Sequence, residues 1–188
     1  MKRDPSKYIW KNKIGADCQL VTAVNAYYYL TGELVDDITY ENYVDLCKCR
    51  NGSAISIEKV WKRLGIDIIW AGNSLLDFKT RCYGNDLPIR IKRERKKKIP
   101  LPLEFNIWHK DYGFHSTLIV DHEPRVDCYK ITNFKSETSH DGWIFAEDIY
   151  KFERRMPNNN GVIFRLFGLK SDPISKEIKK LWKKQVEH

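Results

Sequence analysis

Nowhere among the 188 residues do eighteen apolar residues follow one another, so no segment is suited to spanning a bilayer as a helix. The first eight residues, Met1-Lys2-Arg3-Asp4-Pro5-Ser6-Lys7-Tyr8, lack the apolar core of a secretory signal. Cysteine is sparse and odd in number: five residues without framework spacing argue against a disulfide scaffold and for free thiols in a reducing, cytoplasmic setting. Cys47-Lys48-Cys49 has no second close pair and no spaced histidine pair, which removes a zinc knuckle; neither metal nor cofactor is expected. Internal repeats and low-complexity tracts are also missing, apart from one basic run.

What is present is a globular composition, 42% hydrophobic with eight Phe, six Trp and ten Tyr, in a chain sized for one well-filled core. The net charge of +8 is unevenly spread. Residues 90–98 hold seven cations (Arg90, Lys92, Arg93, Arg95, Lys96, Lys97, Lys98) against one glutamate, and residues 170–188 carry a further excess of +3. The remainder is close to neutral, which is not the pattern of a broad nucleic-acid-binding face. Nothing aromatic interleaves the lysines of the run, so a solvated loop is expected there, with capture of an acidic partner or polyanion as the functional alternative.

The chain is organised around residues 15–32, GADCQLVTAVNAYYYLTG. A short polar loop delivers Cys18 onto the first turn of a helix whose Leu20, Val21, Val24, Tyr27, Tyr28 and Thr31 share one face, and Gly32 stops it. Unpaired N–H groups and the positive end of the helix dipole favour a thiolate at Cys18. Further helices are expected at 39–47, 56–64, 75–83 and 146–154, with a final basic amphipathic one from Asp172-Pro173 onward. Strands are expected at 66–70, 87–91, 103–107, 115–121, 126–134 and 162–169. Helices first and mostly antiparallel strands later predict an α+β fold, with helices packed on one side of a curled sheet. The helical half would be 1–84 and the sheet half 85–169, followed by the tail helix at 170–188.

A thiol nucleophile needs a base and a group to hold that base. Of the five histidines, His115 follows a turn-like Asp111-Tyr112-Gly113-Phe114 and opens the apolar run 116–120. A hairpin turn centred near residue 124 would bring Asn133 of the next strand beside it.

Asp17-Cys18 opening a helix, Leu101-Pro102-Leu103 before the histidine, and residues 113–123 (GFHSTLIVDHE) resemble papain-like cysteine peptidases, nearest to the double-glycine, bacteriocin-processing branch. Residues 142–152 resemble the short helix after that family's third triad residue. The resemblance implies Cys18 as nucleophile, His115 as base and Asn133 as its orienter, in cleavage of a polypeptide or related acyl bond. The family's oxyanion-hole glutamine falls at Asn12, and its glycine after the cysteine is replaced by Gln19. The alternative is the same fold without activity, serving as an interaction module, for instance in a virus or phage particle. A chain rich in Lys, Ile, Asn and Tyr suits such an AT-rich genome.

Overall fold

The computed structural model describes residues 3–51, 56–83, 98–109, 113–134, 142–155 and 163–184. Its helices are α1 (Cys18–Thr31), α2 (Asp37–Cys47), α3 (Ile57–Arg63), α4 (Leu75–Tyr83), α5 (Ala146–Arg155) and α6 (Pro173–Lys184). Its strands are β1 (Ile66–Gly72), β2 (Leu103–His109), β3 (Gly113–Glu123), β4 (Cys128–Thr132), β5 (Trp143–Phe145) and β6 (Phe164–Leu169). They form one open sheet in the order β1-β6-β2-β3-β4-β5, every pair antiparallel. The chain is therefore α+β. The strand expected at 87–91, and all of the basic run except Lys98, lie outside the described residues.

α1 is the central helix because it has almost no polar side. Leu20, Val21, Thr22, Ala23, Val24, Asn25, Ala26 and Tyr28 are all buried. The single apolar stripe read from the sequence is thus too narrow: sheet and neighbouring helices enclose α1 on several sides. Gly32 closes it at φ 84°, donating its N–H to the Tyr28 carbonyl at 2.8 Å. Two further carbonyls at that end, Tyr29 and Leu30, accept from the Arg3 guanidinium at 2.8 and 3.0 Å. Buried Asn25 accepts from the Ile9 N–H, donates to the Ile9 carbonyl, and donates to Thr132 Oγ1 at 3.0 Å. One side chain so ties the N-terminal segment, α1 and β4 together.

Helices cover both faces of the sheet, which corrects the one-sided packing expected from the sequence. Tyr8 and α1–α3 form one core with Ile66, Leu118, Val120 and Phe167. The other core joins Leu75 and Phe78 of α4 and Ile149 of α5 to Leu103, Phe105, Ile107, Ile119 and Leu166, with Ile178 and Trp182 of α6 packed against it. The physical reason is strand alternation: Leu118 and Ile119 are both apolar and point to opposite faces, so each face needs a cover. In β1 a bulge between Ile68 and Trp70 hands the chain from the first core to the second. The tail helix is docked rather than appended, through a Phe78–Trp182 edge contact and an ion pair of Lys179 with Asp67 at 2.7 Å.

The β3–β4 register also differs from expectation. Leu118 faces Thr132 and Ile119 faces Ile131, and the pairing shifts between Ile119 and Asp121. Continued by symmetry, this register sets Asn133 across from Thr117, two residues from His115. The cause is a turn centred between residues 125 and 126, with Asp127 at a left-handed φ of 53°; the irregularity at Val120 brings Asn133 back by one residue, from Leu118 to Thr117.

Candidate functional site

Four distant segments meet at the N-terminal end of α1. Cys18 is the first residue of that helix, half-buried, preceded by Asp17 at the N-cap position. Asp17 is fully buried, and its Oδ2 accepts from the Lys13 and Ile14 N–H groups at 3.2 and 3.1 Å and from the Tyr40 hydroxyl at 2.6 Å. It does not cap α1 with its side chain; instead it folds residues 12–15 back over the helix start.

On that loop, Asn12 Nδ2 donates to the Gly15 carbonyl at 3.2 Å, and its Oδ1 accepts from Asn133 Nδ2 at 2.8 Å. Asn133, just after β4 and left-handed at φ 56°, also donates to the Ser116 carbonyl at 3.2 Å. Its own main-chain oxygen lies 2.6 Å from His115 Nε2. A carbonyl only accepts, so Nε2 carries the ring proton and Nδ1 is the basic nitrogen. The imidazole is thus held by the Asn133 backbone, while the Asn133 carboxamide ties Asn12 to β3.

Ser116, which the sequence reading passed over, is the hub. Its N–H, with that of Gln19, lies near enough to the Cys18 sulfur to favour thiolate. Its carbonyl takes Asn133, and its hydroxyl bonds Thr22 Oγ1 at 3.0 Å and Glu104 Oε1 at 2.7 Å. Glu104, 1% exposed, is paired with Arg165 at 2.7 Å, and that guanidinium sits 5.6 Å from the Trp61 ring centre. The sequence signal for this pair was a charged residue inside each of two alternating strands, Glu104 in β2 and Arg165 in β6, which face one another across the sheet.

Burial pushes the Cys18 thiol above its ordinary value; the Ser116 and Gln19 N–H groups oppose this, while Asp17 and Glu104 add to it. The helix-terminus argument for a ready thiolate therefore meets a larger opposing effect. The side chains of Ser116 and Leu118 meet α1 or its core, so alternation along β3 groups His115 with Thr117 and Ile119 instead. Of the other thiols, Cys47, Cys49 and Cys128 are buried, and Cys82 is half-buried with its thiol pushed up to about 12 by burial.

Among the described residues no group of three His, Cys, Asp or Glu side chains is gathered to hold a metal ion, and no helix is long and apolar enough to cross a membrane. Comparison of the chain with models of known protein families finds no match, and comparison with curated proteins finds none either.

Proposed function

We propose that the protein is a papain-like thiol hydrolase that cleaves a peptide or related acyl bond through Cys18, with His115 as base. The observation that supports this reading is a bonded set spanning 121 positions, Asn12 to Asn133 and Asn133 to His115, which reaches the loop before the helix start that carries Cys18 through Asn12. In this reading His115 Nδ1 takes the thiol proton, and the sulfur forms a bond to the acyl carbon. The oxyanion is met by the Cys18 N–H, an orphan donor of the first helical turn, and by Asn12 Nδ2 once it leaves the Gly15 carbonyl. The imidazolium then protonates the leaving amine as the C–N bond breaks. Water, deprotonated by His115, hydrolyses the thioester and restores the thiol.

A second reading, the same architecture kept as an inactive interaction module, has its own support. The Cys18 thiol is held up by burial and by the Asp17 and Glu104 carboxylates, the Asn12 amide is committed to Gly15, and alternation along β3 sets His115 on the sheet face away from α1. A peptidyl acyloxymethyl ketone separates the two. The hydrolase reading expects a single adduct on Cys18 by intact mass and peptide mapping, lost in Cys18→Ser and in His115→Ala. No adduct, or adducts shared with Cys82, supports the inactive module.

A further inference from the structure

At the opposite end of α1 lies a cavity of about 440 Å³, within the size range of small-molecule sites. Tyr29 is eleven residues beyond Cys18 on the helix, so roughly 16 Å of helical rise separates the cavity from the candidate thiol site. Its floor is a row of side chains across three strands: Asp121 of β3 faces Lys130 of β4, which faces Trp143 of β5. One wall is the last turn of α1, where Tyr29 stands beside Arg3, whose guanidinium is fixed on the carbonyls of Tyr29 and Leu30. The rim is Lys98, the last cation of the basic run, paired with Asp121 at 2.5 Å.

Three cations against one carboxylate leave this lining at +2. A phosphate monoester carries about −1.5 to −2 near neutral pH, which matches that charge where a single carboxylate does not. Two rings, Tyr29 and Trp143, supply flat apolar surface on the wall and the floor. The Lys130 ammonium also lies 5.5 Å from the ring centre of Trp10, which is not part of the lining; within the floor its ring neighbour is Trp143, its partner on β5. Burial pushes the Tyr29 phenol up, so it stays a hydroxyl donor.

We propose that this cavity binds a phosphomonoester carrying a planar ring, the class to which nucleoside monophosphates belong. Lys130 and Lys98 meet the phosphate, Arg3 adds its field, and Trp143 and Tyr29 flank the ring. Asp121 competes with the phosphate for Lys98. The proposal stands independently of any chemistry at Cys18.

Isothermal titration of the full chain with adenosine 5′-monophosphate, adenosine and inorganic phosphate tests it. The nucleotide should bind more tightly than either fragment. Lys130→Ala should weaken it about tenfold, the loss of one charge-assisted hydrogen bond. Trp143→Leu should weaken the nucleotide and leave inorganic phosphate unchanged. Asp121→Asn should tighten both anions, a gain that misfolding does not produce. Equal binding of adenosine and its monophosphate, binding untouched by Lys130→Ala, or no nucleotide binding at millimolar concentration would each overturn the proposal.

Discussion

Asp17 is the residue whose removal should most clearly separate the site's scaffold from its chemistry. One oxygen, Oδ2, satisfies three donors: two backbone N–H groups of the loop at residues 13 and 14, and the Tyr40 hydroxyl. Asp17 is 0% and Tyr40 1% exposed, so in Asp17→Ala the phenol has no water to turn to. Stranding that hydroxyl costs about 1–3 kcal/mol, and the two half-buried N–H groups about 1 kcal/mol each, for a loss of about 3–5 kcal/mol. In a chain of this size each kcal/mol lowers Tm by about 2–4 °C, so a fall of about 6–20 °C is expected. Tyr40→Phe removes one donor and leaves the carboxylate its other two, and should cost about 2 kcal/mol. Because the two residues share a bond, the double mutant should cost less than the sum. Urea denaturation followed by tryptophan fluorescence measures all four corners of the cycle. A loss below about 1 kcal/mol for Asp17→Ala would show that the loop donors find water, and the account of Asp17 as the clasp of residues 12–15 would fail.

Asp127 offers a pH test. Burial opposes its ionisation, but hydrogen bonds from His122, Lys79 and Tyr129 outweigh that and hold the carboxyl well below the usual carboxylate range. A depressed folded value contributes stability that is present above about pH 4 and lost as pH falls below it. The urea midpoint of wild type should therefore drop more between about pH 5 and pH 3 than that of Asp127→Asn; equal drops would contradict this. At neutral pH Asp127→Asn should cost about 3 kcal/mol, because the Lys79 ammonium, 5% exposed, loses its anion. Glu104→Gln removes a negative charge near Cys18 and frees Arg165, so the pH midpoint of Cys18 alkylation should move down; an upward shift would refute the assigned electrostatics.

Much of the architecture is legible because it rests on local signals. Gly32 and the apolar face fix α1, and α4 runs over the expected 75–83. Cys18, His115 and Asn133 stand out by residue type and spacing and Asn12 by the family resemblance; the structure joins Asn12, Asn133 and His115 by hydrogen bonds. The rest depends on partners far apart in sequence. The exact centre of the turn within residues 124–127 leaves no mark in the sequence, yet it moves Asn133 from the level of His115 to that of Thr117. Ser116 acts through its N–H and carbonyl as much as its side chain, and main-chain atoms carry no residue code. Glu104 and Arg165 are separated by 61 positions, and only the β2–β6 pairing makes them neighbours. The second helical layer follows from alternation that reads as apolar on both faces, a pattern short strands share with buried helices.

In the proposed hydrolase His115 serves the Cys18 thiol. The direct measurement is the rate of Cys18 alkylation by iodoacetamide between about pH 5 and pH 10, in wild type and in His115→Ala, with Cys82 as the internal reference. Burial, Asp17 and Glu104 all hold the Cys18 thiol up, so unaided it should be no more reactive at pH 7 than an ordinary buried cysteine. Base assistance predicts an extra rise at lower pH than any rise at Cys82, and labelling at pH 7 at least about tenfold faster than Cys82. His115→Ala should abolish both. A single ionisation above about pH 9 at Cys18, unchanged by His115→Ala, would contradict the account.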